Sequence, residues 1–369
     1  MKVAIVCDWL TGIGGAERVV LELHKLYPDA PIYTSQYDPG KIDWFKDADV
    51  RTTWLQTLPK RLKKFLPLLR AWTFSRMDLS EYDLVISSSG AEAKGVKTGP
   101  HTVHICYCHS PTHYYWIRHD EYLENPGFPR GLNWLARLGL KLLVDPLKRW
   151  DRHAAKQPDY FIANSTHTQN MIKRYYRRDS TVIFPPVEID RFKMKSNAPL
   201  RHGFVVAGRQ TPYKRFDLAI QACEELKVPL VAIGDGPDHR RLEKLAGRST
   251  TFLTQVTDGE IVSHFQSALG FIMPNMDDFG IVAVEALAAG TPVIAYNKGG
   301  ALDYITPGKN GLLFDRQNIK SLASVLETAI SKSFDYQAIS ASAEQFSVLT
   351  FNKNMRDYIK KCLAERTSK

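Results

Sequence analysis

The sequence predicts two doubly wound, parallel α/β domains, and three observations carry that expectation. The chain has 369 residues, more than one hydrophobic core usually serves, so two domains are the default. Short apolar strands alternate with amphipathic helices, the rhythm of a parallel sheet wrapped by helices. That strand–glycine loop–helix rhythm then restarts at Phe204–Gly208, after Phe184-Pro185-Pro186-Val187. Paired prolines fit neither a helix interior nor a central strand, so they stiffen a hinge.

In chain order, the first half predicts strands at Val3–Cys7, Pro31–Tyr33, Leu84–Ser87, His104–Tyr107, Tyr160–Ala163 and Val182–Phe184. The second half predicts them at Phe204–Ala207, Leu230–Ile233, Phe271–Met273, Pro292–Ala295 and Leu312–Phe314. The helices include Ala16–Leu26, Phe216–Leu226, Ile261–Ser267, Ile281–Ala289 and Ile319–Ser331. The domains are expected at 1–185 and 186–349. A last helix within 350–369, read from Phe351–Leu363, can pack back on the first.

Composition narrows the class. The 44% hydrophobic and 24% charged residues are ordinary for a soluble globular protein. No apolar run reaches the ~18 residues that would cross a bilayer. The start, Met1–Leu10, has too short an apolar run for a secretory signal, so it reads as a buried first strand and the chain as cytoplasmic. Five scattered cysteines do not suggest a disulfide framework. The 49 Lys+Arg against 39 Asp+Glu leave a formal charge of +10. That excess suggests an anionic partner: a phosphorylated sugar donor, an anionic membrane surface or nucleic acid. The cations are dispersed and no nucleic-acid-binding module appears, which sets nucleic acid aside.

Four turns carry small residues where a strand hands over to a helix: Gly12-Ile13-Gly14-Gly15, Gly208-Arg209, Gly234-Asp235-Gly236 and Gly299-Gly300. In a doubly wound sheet such turns lie at the carboxyl ends of the strands, where ligands bind. Glycine admits a phosphate close to the backbone, and the next helix offers unpaired N–H groups. No turn completes G-x-G-x-x-G, since Glu17 takes the third glycine's place, and that counts against a dinucleotide enzyme. Arg209 and Lys214 add two cations to one turn. They suit a diphosphate, at roughly 1.5–3 kcal/mol per charge-assisted bond.

Asp277 precedes a helix that is otherwise almost wholly apolar, and Glu285 falls in its second turn. A glutamate among Val284, Ala286 and Leu287 wants a partner. Both carboxylates are expected to look into a cleft between the domains, where each can accept two bonds from adjacent sugar hydroxyls. Phe279 and Gly280 present backbone N–H groups at the helix start.

These residues resemble the retaining GT-B glycosyltransferases of the group 1 family, family 4 in the usual classification. The resemblance rests on Asp277…Glu285 as an E-x7-E element, on Glu285–Ala295, on Gly299-Gly300 and Pro307–Gly311, and on Pro185–Phe192. It covers essentially the whole chain. Tyr82–Ser89 and Cys106-Tyr107-Cys108-His109-Ser110-Pro111 look like bacterial mannosyltransferases of O-antigen and polysaccharide assembly. The implied fold is GT-B, two Rossmann-like domains facing across a cleft. The implied reaction moves mannose from GDP-mannose, the leading donor, onto a glycan or lipid-linked acceptor, with no cofactor and no bound metal.

The resemblance also implies roles. Gly14 and Gly15 lie under the diphosphate of the sugar donor, with Gly234 in the second-domain site. Arg209 and Lys214 neutralise the leaving group. Glu285 holds the ribose, while Asp277 and the backbone of Phe279, Gly280 and Ile281 hold the transferred sugar. His109 is the cleft histidine near sugar and acceptor. Two departures stand out: Asp277 replaces the more usual Glu, and His113 stands where the subgroup more often has Arg.

Other readings of the same residues remain. A UDP- or ADP-sugar donor, an epimerase, or a catalytically silent GT-B scaffold fits the same motifs. Cys106, Cys108, His109 and His113 crowd together, but Cys-x-Cys is too close for the usual zinc knuckle, and alternation turns both thiols toward one face. Asp47-Ala48-Asp49 matches a D-x-D metal motif only superficially, lying in a polar stretch. The run Lys60–Trp72 mixes cations with aliphatic and aromatic residues, a composition suited to peripheral contact with an anionic membrane at the inner face of the cell membrane.

Overall fold

The computed structural model describes residues 1–58, 67–117, 133–194 and 200–367. The chain divides into two compact units, Met1–Pro185 with Asn352–Lys369, and Pro186–Phe351.

The first unit runs β1 (Val3–Cys7), α1 (Gly15–Leu26), β2 (Ile32–Thr34), β3 (Val50–Thr52), α2 (Pro67–Arg76), β4 (Leu84–Ser89), β5 (Val103–Cys108), α3 (His113–Trp116), α4 (Asn133–Ala154), β6 (Tyr160–Ala163), α5 (Thr166–Tyr176) and β7 (Thr181–Val182). Its seven strands pair in parallel in the order β3-β2-β1-β4-β5-β6-β7. Every residue of β4 and β5 is buried, as expected for parallel strands covered on both faces. Hence β1, VAIVC, reads as an unbroken apolar run rather than an alternating one, while β4 and β5 bury Ser87, Ser88, Ser89 and His104 as well. Cys106 and Cys108 do share a face, packed with Phe161, Ala163 and Tyr176 in one core cluster.

The second unit runs α6 (Ile189–Phe192), β8 (Phe204–Ala207), α7 (Phe216–Leu226), β9 (Leu230–Ile233), α8 (His239–Leu245), β10 (Thr250–Leu253), α9 (Asp258–Ser267), β11 (Gly270–Met273), α10 (Ile281–Ala288), β12 (Val293–Tyr296), β13 (Gly311–Phe314), α11 (Ile319–Ser331) and α12 (Tyr336–Ser342). The last helix, α13 (Val348–Thr367), begins here and ends in the first unit. There Asn352 donates to Glu22 at 2.9 Å and Arg366 to the Pro100 carbonyl at 2.6 Å. The six strands order as β10-β9-β8-β11-β12-β13, the same winding as the first unit. In both sheets the order reverses beside the first strand, between β1 and β4 and between β8 and β11. Loops leaving such a switch point diverge and leave a crevice at the strands' carboxyl ends.

Helix starts follow local chemistry. Thr257 and Glu260 form a reciprocal capping box on α9, so that helix begins earlier than the apolar run from Ile261 suggests. The strand read at Val182–Phe184 lies instead at Thr181–Val182. Pro185 and Pro186 carry no N–H, so the ladder stops early. Two edge strands, β3 and β10, are not legible in the sequence. Their residues are partly or fully exposed, so they lack the apolar run that marks a buried strand.

Candidate active site

In the second unit, β8 and β11 are neighbours, so their loops leave the same edge of the sheet. The β8 loop passes Gly208, Arg209, Gln210 and Thr211 and makes one tight turn at Pro212–Lys214. It enters α7 through Arg215, whose φ is 54°. The β11 loop passes Pro274 to Gly280 and enters α10. This places Lys214 Nζ 2.5 Å from Asp277 Oδ2. Arg209 is exposed on the same loop, and no ion pair reaches it among the described residues.

Backbone approaches fix these loops. Gly234 has φ 119°, and a Cβ there would collide with the Gly208 carbonyl oxygen; one on Gly236 would meet the Gln210 carbonyl. The β8 and β9 loops therefore touch main chain to main chain, which only glycine permits. Gln210 braces the contact. It is buried, its Nε2 donates to the Gly234 carbonyl at 2.7 Å, and its Oε1 stands 2.7 Å from His239 Nδ1. From the β12 loop, the Gly300 N–H donates to the Asp277 carbonyl at 2.8 Å. Asp277 is held by its main chain as well as by its ion pair.

Glu285 lies in the second turn of α10, only 6% exposed among buried Val284, Ala286 and Leu287. The Phe279 ring is buried edge-on against Tyr304 and Phe346, at 5.5 and 5.6 Å between centroids. The Phe279 ring is therefore spent on packing within the unit. Gly280, at φ 95°, turns the chain into α10, whose first N–H groups have no intrahelical acceptor. Asn275, on the same loop, has a buried amide nitrogen with no hydrogen-bond partner among the described residues.

The first unit has its own switch point. Asp8, just after β1, accepts from the N–H groups of Gly90, Ala91 and Ala93 at 2.8, 3.0 and 2.7 Å. Burial, and then the nearby Glu92, push its carboxyl above the usual range against those bonds. His109, just past β5, has its Nε2 2.7 Å from Ser88 Oγ. The His109 carbonyl accepts from Asn164 Nδ2 at 2.9 Å, and its N–H donates to the Ser89 carbonyl at 3.0 Å. Beyond it, buried Asp151 receives Lys94 at 2.6 Å, Thr112 at 3.0 Å, Trp116 at 2.7 Å and Tyr176 at 2.8 Å. These bonds tie down the loop that ends at His113.

Gly14 caps α1 and Gly15 begins it. The Glu17 carboxylate folds back over this helix start, its Oε2 2.8 Å from where a Gly14 Cβ would stand. Burial raises its carboxyl to about 7, against a bond from its own N–H and with a further push from Asp8. The helix terminus assigned to a diphosphate thus already holds an acidic side chain.

Burial likewise raises the Cys106 thiol, to about 12. Asp49 pairs with Arg51 at 2.8 Å beside the edge strand β3. Of the run Lys60–Trp72, residues 60–66 lie outside the described residues and Pro67 opens α2. Gln210, Asn275, Ser88 and Asp8 escape a reading of the sequence; their roles come from contacts distant along the chain.

Comparison with known proteins agrees with this geometry. Residues 190–346 match the family model described as "Glycosyl transferases group 1", and residues 13–191 match "Glycosyltransferase Family 4". The chain is 26% identical over 223 residues to a D-inositol 3-phosphate glycosyltransferase of Rhodococcus jostii, covering 52% of this chain and 49% of that one. It is 31% identical over 170 residues to a GDP-mannose-dependent alpha-(1-6)-phosphatidylinositol monomannoside mannosyltransferase of Mycobacterium tuberculosis, covering 38% and 44%. The chain spans about half the length of the curated relatives it matches. Among solved structures, Anabaena Alr3699/HepE in complex with UDP superimposes with a TM-score of 0.70 at 20% identity, covering 98% of this chain and 100% of that one. A sucrose-phosphate synthase from Thermosynechococcus elongatus gives 0.73 at 16% identity, covering 99% and 100%. These likenesses show the two-domain GT-B fold.

Proposed function

The chain belongs to the group 1, family 4 glycosyltransferases, and we propose that it moves a hexose from a nucleotide sugar without a bound metal. The observation that carries this reading is the Lys214–Asp277 pair at the switch point of the second unit. A nucleoside diphosphate leaves readily when fixed positive groups meet its growing charge, and such groups need no reorganisation as the bond breaks. Arg209 and Lys214 fill that role. Asp277, with the backbone of Phe279, Gly280 and Ile281, holds the transferred sugar, and Glu285 holds the ribose. Gly234 keeps the two loops in register, and Gly14 and Gly15 approach the diphosphate.

The transfer retains configuration. The bond from the anomeric carbon to the phosphate oxygen breaks as the bond to the acceptor oxygen forms on the same face. The departing phosphate oxygen takes the acceptor's proton, and His109 orients the acceptor. The likeness to a mannosyltransferase supports GDP-mannose as the sugar donor. The acceptor is a glycan or a lipid-linked glycan, which would hold the enzyme as a peripheral protein at the cytoplasmic face of an anionic membrane. Among the described residues no helix is long and apolar enough to cross a membrane.

A panel of GDP-, UDP- and ADP-sugars tests the reading by thermal shift and by nucleoside diphosphate release with an added acceptor. GDP-mannose is expected to stabilise the protein and to turn over. Stabilisation without release would mark a silent sugar-nucleotide-binding protein, and a response to another nucleotide alone would overturn the choice of donor.

A further inference from the structure

We propose that Trp9 is the platform on which the ring of an acceptor sugar stacks, and so a specificity-determining residue of the first unit. The proposal rests on the reading that this unit takes the acceptor. It deepens that reading by naming a residue and a ligand class, a pyranoside.

Local structure fixes the chain on both sides of this indole. Trp9 comes two residues after β1 ends, between buried Asp8 and buried Leu10. Asp8 is held by the N–H groups of Gly90, Ala91 and Ala93. The Leu10 N–H donates to the Gln36 carbonyl at 2.8 Å, and its carbonyl accepts from the Asp38 N–H at 2.8 Å. Side chains alternate along an extended chain, so with both neighbours inside, Trp9 is left half-buried at the carboxyl end of the sheet. Ligands of a doubly wound sheet bind at that end. The Arg70 guanidinium lies over the Trp9 ring at 5.1 Å. Glu92 holds that guanidinium at 2.9 Å, and Arg70 donates to the Tyr114 hydroxyl at 3.0 Å. Tyr114 belongs to α3, a few residues past His109, so one buried cation joins the Trp9 loop to the His109 loop. Ser88 Oγ meets His109 Nε2 at 2.7 Å, and Ser89 Oγ donates to Asp8 at 3.3 Å. Those two neighbours on β4 make a second link.

What Trp9 leaves open names the ligand. Its indole N–H makes no hydrogen bond among the described residues, and Arg70 is the one charged or aromatic group over its ring there. A tryptophan that only packs usually finds a partner for that N–H. A pyranose presents an apolar face of C–H bonds with hydroxyls around it. The face fits a flat indole, and a hydroxyl oxygen can accept from the N–H. An inorganic anion or an acyl chain would use only one of the two. Because Arg70 and the backbone already fix the ring, little freedom is lost when a sugar settles on it.

The test is saturation-transfer NMR on the full chain, with methyl α-mannopyranoside and methyl β-glucopyranoside as ring probes and glycerol as an open-chain control. Ring protons of at least one glycoside are expected to receive saturation, and glycerol none. Trp9→Ala should raise the Kd for that glycoside about tenfold. Trp9→Phe keeps a ring but not the N–H, and should raise it less. Both variants should keep the wild-type thermal shift with a nucleoside diphosphate. Equal glycoside affinity in wild type and variants would overturn the platform, as would no signal from either glycoside or an equal one from glycerol. A lowered Tm with unchanged affinity would mark Trp9 as packing on Arg70 alone, and would overturn it too. Where Trp9→Ala does not fold, Trp9→Phe decides by the same comparison. A wild type that no nucleoside diphosphate stabilises would instead count against the transferase reading, while the glycoside result still decides the platform.

Discussion

Lys214 and Asp277, 63 residues apart in sequence, meet at 2.5 Å with both side chains largely withdrawn from solvent. The cation proposed to meet the leaving group is therefore paired with the carboxylate proposed to hold the sugar. On the proposed reading, a diphosphate that pairs with Lys214 would free the Asp277 carboxylate to accept from sugar hydroxyls.

Lys214→Ala should lower nucleoside diphosphate release at least about tenfold, since a lost charge-stabilising group commonly costs more than that. Asp277→Asn should also lower it. The double variant should be less impaired than the product of the two, because paired groups do not act additively. Rates measured at saturating sugar nucleotide check this; strict additivity would separate the two residues.

Glu285→Gln should weaken binding of the nucleoside diphosphate by about tenfold, the usual scale of a charge-assisted bond. Isothermal titration with the nucleoside diphosphate measures it, and unaltered affinity would remove Glu285 from the ribose.

Ser88→Ala leaves the His109 ring without its 2.7 Å partner. Turnover should fall severalfold while affinity for the sugar nucleotide stays the same, because Ser88 acts through His109 rather than on the sugar donor. A matched loss in KM and kcat through instability would show as a lowered Tm and contradict a positioning role.

Glu17 makes a pH prediction. Its carboxyl is raised from an ordinary 4.5 to about 7 by burial. Below pH 4.5 both folded and unfolded chains hold the proton, so Glu17 contributes nothing. Between 4.5 and about 7 the unfolded chain ionises first, and the folded state loses stability as pH rises. Glu17→Gln should therefore match the wild-type Tm below pH 4.5 and exceed it above pH 7, by a few degrees on the usual scale. Equal Tm values across the range would contradict the burial.

Much of the fold is legible in the sequence, for identifiable reasons. Buried parallel strands such as β1 and β8 leave unbroken apolar runs, and Gly234 and Gly299-Gly300 mark turns where no side chain fits. The cations and carboxylates of the second unit are visible as types in the right order. Their pairing is not, because strand order in the sheet brings the β8 and β11 loops together, and nothing local encodes it. Gln210 reads as one more polar loop residue until its bonds to Gly234 and His239 are seen. Glu17 registers only as a broken glycine motif, whereas the fold places it over the helix start.

The most direct test is turnover in excess EDTA, comparing the wild type with the Arg209→Ala, Lys214→Ala double variant on the preferred sugar nucleotide. If fixed side-chain cations compensate the departing diphosphate, the chelator leaves the wild-type rate unchanged and the double variant stays inactive even with added Mg²⁺. A wild-type rate abolished by EDTA and restored by a divalent ion would contradict the account.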